Sequence, residues 1–361
     1  TSLAFFPRAY SPNHHALAER FGIFDRFFVN AEVSPDGHNW STAAYTSDYA
    51  QKTIPSNYSQ RGRTYDYEGT NRNEVPDDDV ASPGTGYLWN LAEKAGITFR
   101  NYGEFVIPLD FEPEGSKHPG YRANKPFLAE HTNQDYPGYS LEIRDQRRAD
   151  VWIAELKQFE RDGKMPALEI IRLPNDHTAG ARAGSPTPFA YMADNDLALG
   201  RMIEALSKTQ FWKSTAVFVL EDDAQNGSDH VDSHRSVFLA ISPWARGGVM
   251  HRFVNTTDVV ATIEELLKIG SMSQFDHFGR PLRDIWAARP DTRPYTALIP
   301  AASLDDRNPR LGILAEESSK LALGKEDIAD EELFNDILWR TIKGRAAPAR
   351  ESGPLPRPML R

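Results

Sequence analysis

The chain has 361 residues and a formal net charge of −10 at pH 7, from 41 Lys and Arg against 51 Asp and Glu. It contains no Cys, which excludes a disulfide framework, a thiolate zinc site, an iron–sulfur cluster and a cysteine nucleophile. The negative charge disfavours nucleic acid as a partner, and no apolar run approaches the ~20 residues of a transmembrane helix.

Helix and strand signals alternate along the chain, which predicts an α/β fold with a mostly parallel sheet and helices on both of its faces. The run Ala216–Leu220 is apolar at every position, as is typical of a buried parallel strand. The predicted helices are His14–Phe21, Asn39–Gln51, Tyr87–Ala95, Ala149–Arg161, Ala190–Leu206, Thr257–Ile269 and Lys325–Lys343. The predicted strands are Phe27–Val33, Ile97–Tyr102, Ala167–Leu173, Thr215–Leu220 and Val237–Ile241.

Two segments interrupt the alternation. Residues 53–82 are rich in Tyr, Asn, Arg, Pro and Asp, and residues 107–140 are rich in Pro, Gly and aromatic side chains without a period. Long loops in a compact domain usually serve as lids or substrate walls. The sequence therefore predicts one domain over residues 1–290, with lid-like insertions at about 53–82 and 107–140, and a C-terminal extension over residues 291–361 that ends in a Pro-rich tail.

The densest polar segment is Leu220–Arg235, where five acidic residues and two of the ten histidines follow an apolar strand. Asp222 and Asp223 come directly after that strand, and open α/β sheets bind their ligands at the carboxyl ends of strands. Carboxylate oxygens together with imidazoles suit a hard or borderline divalent ion. The alternative interpretation is an acidic surface loop with incidental histidines.

A second polar pair, Asp176 and His177, follows the predicted strand Ala167–Leu173. The helix Ala190–Leu206 has a suitable length for a right-handed crossover to the next strand. If the two strands are parallel, Asp176 and His177 lie at the same edge of the sheet as Asp222. The alternative is a helix-capping Asp beside a surface His.

A third segment, Val33–Ser41, passes from a strand through a Pro/Gly turn into a helix. A hydroxyl at such a junction lies beside a helix N-terminus, where backbone N–H groups favour a phosphoryl group. A serine needs a metal ion or a base beside it to act as a nucleophile. Ser34 is a candidate nucleophile only if the other two polar segments lie beside it. Without them it is interpreted as a turn residue.

Together these segments resemble the bacterial phosphoesterase family of the alkaline phosphatase superfamily, which includes phospholipases C and a group of acid phosphatases. The matching stretches are the helix Ala16–Phe21 with Phe24–Phe28 and the turn Ser34–His38, then Asn175–His177, and then Asp222–Val231. The resemblance implies metal-dependent hydrolysis of phosphate esters through a serine nucleophile. It also implies a periplasmic or secreted location.

The resemblance assigns a role to each candidate residue. Ser34 is the expected nucleophile, and a divalent ion (Ca, Mn, Zn or Mg) is expected on Asp222, Asp223 and Asp176. Hydrogen bonds or protons for the phosphoryl group are expected from His177 and His230, with His38 and His234 as weaker candidates. The expected substrate is a small phosphorylated compound or a phospholipid headgroup.

One departure from the family concerns a Glu-Asn pair, which in that family ends the first strand, binds the metal and lies upstream of the nucleophile. No adjacent Glu-Asn pair precedes Ser34 here. We therefore expect either a first strand upstream of Thr1, in a segment of the same precursor, or an incomplete metal site. The missing pair favours a catalytically inactive binding or surface module as one alternative function.

The other alternative is a different enzyme of the superfamily, a phosphomutase or a sulfatase. Sulfatases carry a Cys or Ser in a Cys/Ser-x-Pro-x-Arg context. The segment Ser34–His38 has neither this Pro placement nor the Arg, which counts against a sulfatase.

Overall fold

The computed structural model describes residues 6–31, 33–57, 81–109, 120–224, 234–323 and 328–345. In these ranges the helices are α1 (Pro12–Phe21), α2 (Ser34–Ala43), α3 (Asp48–Asn57), α4 (Leu88–Lys94), α5 (Pro126–Ala129), α6 (Asp145–Asp162), α7 (Pro188–Ser207), α8 (Thr256–Leu267), α9 (Gln274–His277), α10 (Ile313–Ser318) and α11 (Glu331–Lys343). The strands are β1 (Ile23–Phe24), β2 (Phe27–Phe28), β3 (Phe99–Tyr102), β4 (Val106–Pro108), β5 (Tyr121–Ala123), β6 (Leu168–Ile171), β7 (Val217–Leu220), β8 (Phe238–Ile241), β9 (Val249–Met250) and β10 (Val254–Asn255). None of the described helices is long and apolar enough to cross a membrane.

The predicted α/β fold is confirmed. Three strand pairs are parallel: β1 with β9, β2 with β10, and β3 with β6. The prediction that Thr215–Leu220 lies in a parallel pair is wrong, because β7 pairs antiparallel with β8 in the register Val217 to Ile241. An apolar run favours a strand that is covered on both faces, whereas all four residues of β7 are half-buried, and the run carries no information about the direction of the neighbouring strand.

The helix predicted over Asn39–Gln51 is wrong as a single element. Ala44 adopts the left-handed conformation (φ 49°), and its N–H donates to Trp40 O, which ends α2. A new helix, α3, then begins at Asp48. Hydrophobic periodicity continues across this break, so the pattern alone does not reveal it. The other predicted helices are present with ends shifted by up to six residues.

The two predicted insertions are described only in part, because residues 58–80 and 110–119 lie outside the described ranges. The second insertion is not a structureless loop. β4 and β5 form an antiparallel pair on either side of its gap, and α5 follows. Gly138 lies close to this pair, since a Cβ added there would be 2.2 Å from Val106 O.

The main hydrophobic core joins α1, α6 and α7 to the strands β7 and β8. Leu17, Trp152, Leu199 and Ile241 are among its buried members. Burial of each such side chain contributes ~1.5–3 kcal/mol relative to leaving it exposed. This core fixes α7, the helix that connects β6 to β7, against the strand ends that carry the polar residues.

The start of α1 is fastened to α7 by a buried carboxylate. Asp196 is fully buried and accepts hydrogen bonds from Asn13 N and Nδ2 at 3.1 and 2.6 Å, and from His14 N at 2.8 Å. The Tyr295 hydroxyl donates to Asn13 Oδ1 at 2.8 Å, and Tyr295 N donates to Ser207 Oγ. Tyr295, beyond the boundary predicted at residue 290, is therefore packed into the same core.

An apolar cavity of about 1010 Å³ lies between β6 and β7. Among the described strands, β6 pairs with β3 and β7 pairs with β8, and neither pairs across the cavity. We call this the inter-strand cavity. It reaches Asp176 and Asp222 at the carboxyl ends of the two strands, so it opens onto the polar residues singled out by the sequence.

A buried carboxyl pair couples α8 to α9. The Glu264 side chain is 5% exposed and is hydrogen-bonded to Asp276. Burial acts to raise the pKa of Asp276, but hydrogen bonds from Glu264, Met272 and Ser273 hold it below its ordinary value. Burial, with the hydrogen bond and charge of Asp276, raises the pKa of Glu264 to about 10. Glu264 is therefore the protonated partner at neutral pH.

The parent should lose stability as the pH rises, and we expect Glu264→Gln to abolish this loss. In the unfolded chain Glu264 ionises near its ordinary pKa of 4.5, while in the folded chain it keeps its proton to about pH 10, so its contribution to stability falls across this window. The amide keeps a donor for Asp276 and does not ionise. Urea unfolding should show the variant gaining at least ~1 kcal/mol on the parent between pH 6 and pH 8.

The control for this variant is Glu265→Gln, which changes the next residue, an exposed carboxylate paired with Arg283. Its stability difference from the parent should be the same at both pH values. If the difference in free energy of unfolding between Glu264→Gln and the parent is also the same at pH 6 and pH 8, Glu264 is ionised in the folded chain.

Candidate active site

Acidic residues gather where β6 and β7 end. After β6, a 3₁₀ turn (Pro174–Asp176) delivers Asp176 and then His177, and after β7 come Glu221, Asp222 and Asp223. The Glu221 and Asp176 side chains are hydrogen-bonded to each other. The predicted meeting of these two segments is thus present in the structure, even though β6 and β7 are not paired.

Ser34 joins this cluster from α2. It is the first residue of the helix, and its Oγ donates to Asp223 Oδ2 at 2.9 Å. The helix start is held by the fully buried Asp36, which accepts from Val33 N at 3.2 Å and from Gln51 Nε2 at 2.9 Å. These bonds fix the direction in which α2 presents the Ser34 hydroxyl.

Gly37 allows α2 to press against the acidic segment. A Cβ added at Gly37 would lie 2.5 Å from the carbonyl oxygen of Asp222 and 2.8 Å from its carbonyl carbon. Real Cβ atoms do not approach backbone this closely, so one of the two segments would have to move. The separation between Ser34 and Asp223 therefore depends on the missing side chain at Gly37.

His38 links Asp222 to a buried carboxylate that the sequence analysis did not single out. Its Nδ1 is 2.8 Å from Glu104 Oε1, and its Nε2 is 3.4 Å from Asp222 Oδ2. Burial opposes protonation, but the charges of Glu104 and Asp222 raise the pKa of His38 above its ordinary value. Glu104 follows β3 closely, and an acidic residue just after a predicted strand is the sequence signal that could have found it.

Asp176 and His177 form a second imidazole–carboxylate pair. His177 Nδ1 is 2.9 Å from Asp176 Oδ1, and Tyr139 packs edge-on against the imidazole. Although burial opposes both shifts, the pair holds the pKa of His177 well above its ordinary value and lowers the pKa of Asp176 to about 2.

The remaining carboxylates repel one another. Burial and the charge of Asp222 raise the pKa of Asp223 to about 7, against the hydrogen bond from Ser34. Burial and the neighbouring Asp176 raise the pKa of Glu221 well above its ordinary value. The ionised forms of Asp223 and Glu221 are therefore disfavoured, and a cation or protons would stabilise the cluster.

The donors of this cluster match a hard divalent ion in chemistry, because they are carboxylate oxygens. Among the described residues Asp222 Oδ2 is also buried without a hydrogen-bond partner, although His38 Nε2 lies 3.4 Å away. Within the described ranges, however, no group of three or more His, Asp or Glu side chains is arranged to hold a metal ion. The described residues alone thus do not form a complete metal site.

A large cavity of about 1490 Å³ opens beside the cluster. Its wall includes Ser34, Asp223 and Ser236, and it shares Asp176 and Asp222 with the inter-strand cavity. We call it the substrate cavity. Its volume exceeds the ~300–1,000 Å³ of most small-molecule pockets, so it has room for a substrate with a sizeable leaving group.

The structure does not bring every candidate histidine to this site. His230 lies outside the described residues, within the gap at 225–233. The backbone carbonyl of His234 accepts from Val29 N at 2.9 Å, and its neighbours Arg235 and Ser236 line the substrate cavity while His234 does not. His14, interpreted from the sequence as a surface or helix-packing residue, bonds to Asp196 and also lines both cavities.

The family model for the Phosphoesterase family matches residues 1–270. The chain belongs to the Phosphoesterase family. The resemblance predicted from the sequence is thereby confirmed. The matched region contains all the residues of the acidic cluster together with Ser34, Glu104 and both histidine pairs. Comparison with curated proteins gives no match.

Solved structures similar to this phosphoesterase-family chain share 14–16% identity with it. A protein in the alkaline phosphatase superfamily from Vibrio parahaemolyticus is 16% identical (TM-score 0.47), with 77% of this chain and 66% of that chain covered. Human ectonucleotide pyrophosphatase/phosphodiesterase 5 is 14% identical (TM-score 0.45; 78% and 97% covered). Phosphonate monoester hydrolase of Agrobacterium radiobacter is 15% identical (TM-score 0.44; 78% and 75% covered). The chain spans slightly less than two thirds of the Vibrio protein.

Proposed function

We propose that this chain hydrolyses phosphate esters and that Ser34 is its nucleophile. The observation that carries the proposal is the hydrogen bond from Ser34 Oγ to Asp223 Oδ2, at the N-terminus of α2 and on the wall of the substrate cavity. A serine hydroxyl oriented by a carboxylate has the arrangement of an activated nucleophile. Membership of the Phosphoesterase family supports the reaction class.

In the proposed reaction Ser34 Oγ passes its proton to Asp223 and attacks phosphorus, and the ester oxygen leaves and takes up a proton. Water then cleaves the phosphoseryl bond, which releases phosphate and restores the Ser34 hydroxyl. The start of α2 presents backbone N–H groups and the positive end of the helix dipole to the phosphoryl oxygens. His177 lines the same cavity and is assigned a hydrogen bond to the phosphoryl group. His38 is assigned a positioning role, because it bridges Glu104 and Asp222.

We further propose that Asp222 and Asp223 hold a divalent ion, with Asp176 nearby. A phosphate ester is anionic and is repelled by the ionised carboxylates of this cluster unless a cation or bound protons offset their charge. The buried Asp222 Oδ2, which makes no hydrogen bond among the described residues and lies 3.4 Å from His38 Nε2, supports this assignment. When bound, such an ion would neutralise the phosphoryl oxygens and favour the ionised form of a nearby hydroxyl. The identity of the ion stays open among Ca, Mn, Zn and Mg.

We expect Asp222→Ala and Asp223→Ala each to abolish stoichiometric metal binding, because each removes a charged ligand from a site with few others. Elemental analysis after dialysis against each of the four ions measures this. Asp150→Ala, which removes a surface carboxylate paired with Arg201, is the control and should bind as the parent does. Unchanged metal content in both cluster variants, or none in the parent, would contradict the metal proposal.

The proposed function is tested by turnover of 4-nitrophenyl phosphate compared with 4-nitrophenyl sulfate. We expect hydrolysis of the phosphate and little of the sulfate. Faster turnover of the sulfate would favour a sulfatase. Metal binding without turnover of either ester would favour an inactive binding module. The natural substrate is proposed to be a small phosphorylated compound or a phospholipid headgroup, met in the periplasm or outside the cell.

A further inference from the structure

Three exposed arginines line the substrate cavity on loops that the acidic cluster does not use. Arg182 lies between the 3₁₀ turn and α7, and Arg307 and Arg310 lie on the segment before α10. We call these three residues the arginine platform. They share the cavity wall with Ser34 and Asp223, so one bound molecule of sufficient length has access to both.

The platform is built by pairing of its two loops. Pro186 and Arg307 form an antiparallel bridge, and Asn308 N donates to Ser185 O at 2.9 Å. Asn308 is 4% exposed, and its Nδ2 donates to Gly180 O at 2.8 Å and to Arg182 O at 3.1 Å. One buried amide therefore holds Arg182 and Arg307 on adjoining backbone segments.

The platform carries positive charge without ion-pair partners. No acidic side chain in the described part of the chain forms an ion pair with Arg182, Arg307 or Arg310; the nearby Asp305 is paired with Arg144, and the charge of Arg307 acts on it from a greater distance. The platform also acts on Tyr191: burial raises the pKa of this phenol, while the charges of Arg307 and Arg182 act to lower it. Guanidinium groups that line one cavity without carboxylate partners are a usual protein site for a phosphate or carboxylate group.

The C-terminal region contributes to this feature. Arg307 and Arg310 lie beyond residues 1–270, the part that matches the family model. Phe334 of α11 packs against Gly180 in the loop that carries Arg182, since a Cβ added at Gly180 would lie 2.8 Å from its ring. The platform therefore depends on residues outside the part that matches the family model. Residues that determine substrate choice can lie outside the part that a family shares.

We infer that the arginine platform binds a second phosphoryl group of the substrate, so that the preferred substrates are organic bisphosphates. This inference rests on the proposed function, since the first phosphoryl group is the one placed at Ser34. The volume of about 1490 Å³ accommodates an organic spacer between the two groups. Partly exposed apolar side chains in the same wall, Leu304 and Leu338, offer contacts for that spacer.

Binding of non-hydrolysable ligands tests the inference without any turnover. Titration calorimetry would compare hexylphosphonate with hexane-1,6-bisphosphonate, and repeat the pair with spacers of four and eight carbons. For at least one spacer we expect the bisphosphonate to bind about tenfold more tightly, as for one charge-assisted pair. A bisphosphonate that can bind by either of its two identical ends gains only about a twofold statistical advantage in affinity over the monophosphonate. The preference should also fall as salt is added.

The variant Arg182→Glu/Arg307→Glu should reduce the preference to about twofold while the affinity for hexylphosphonate stays near that of the parent. Both residues are exposed, so the fold should be kept, and circular dichroism checks this. Arg289→Glu reverses an exposed arginine that does not line the cavity and should keep the full preference. Equal affinity of the parent for mono- and bisphosphonates at every spacer length would overturn the inference.

The turnover assay and the binding assay together distinguish failure of the proposed function from failure of the arginine platform. If 4-nitrophenyl phosphate is not hydrolysed but the bisphosphonate preference is present and lost in the double variant, the platform stands as a binding site. If the ester is hydrolysed and the preference is absent, the platform is wrong and the hydrolase proposal stands.

Discussion

Replacing Ser34 by Ala should lower turnover of a phosphate ester by at least ~10³-fold while metal content and fold stay as in the parent, because the hydroxyl supplies a covalent step. The residual rate would come from the other groups of the site acting on water. Steady-state release of 4-nitrophenol measures the effect. Ser214→Ala, which removes an exposed hydroxyl bonded to Phe211 O, is the matched control and should keep parental activity.

In the alternative interpretation, Ser34 has no catalytic role and is only the first residue of α2. Under that account Ser34→Ala costs about 1 kcal/mol of stability, because the hydrogen bond to Asp223 is lost, and leaves turnover within a few-fold of the parent. Urea unfolding and the turnover assay together separate the two accounts. Large loss of turnover with little loss of stability supports the nucleophile.

Gly37→Ala should disturb the site through the backbone. The new methyl carbon would meet the Asp222 carbonyl at 2.5 Å, so α2 and the strand end must separate. Overpacking of this kind typically costs ~1–3 kcal/mol of stability. Because Ser34 and Asp223 lie on the two segments that move apart, we expect turnover to fall by at least about tenfold as well.

Gly84→Ala is the matched control for Gly37→Ala. A Cβ at Gly84 meets nothing within 4 Å, and Gly84 has no left-handed φ, so stability should change by no more than ~0.5 kcal/mol. Parental stability and turnover in Gly37→Ala would show that α2 is not in close contact with Asp222.

The sequence was sufficient to predict the elements with strong periodicity. α6, α7 and α8 repeat apolar residues over three or more turns, and each is found close to its predicted bounds. The meeting of Asp176 with the acidic segment after β7 also follows from the sequence, because both come directly after apolar strands. Carboxyl ends of strands in an α/β fold collect their polar residues at one edge.

The parts that the sequence could not predict depend on contacts between distant residues. The partnership of Glu104 with His38 joins positions 66 residues apart, and nothing local to either residue indicates it. The left-handed Ala44 breaks a helix without a Gly or Pro to signal the break. The antiparallel direction of β7 and β8 cannot be predicted from their composition, because apolar strands occur in both kinds of pair.

The arginine platform also could not be predicted from the sequence. Its residues are ordinary surface arginines in the sequence, and they become a group only through the loop pairing that Asn308 fastens. The C-terminal region gave no signal of function as a sequence, yet it supplies part of the cavity wall.

The most direct test of the account is to trap the phosphoseryl intermediate. The full chain, supplied with the divalent ion that it binds, is mixed with 4-nitrophenyl phosphate, quenched in acid and digested, and the peptides are examined by mass spectrometry. We expect a phosphate adduct on Ser34 that is absent from Ser34→Ala. An adduct on another residue, such as Ser41 or Thr42, or turnover in Ser34→Ala at the parental rate, would contradict the assignment of Ser34 as the nucleophile.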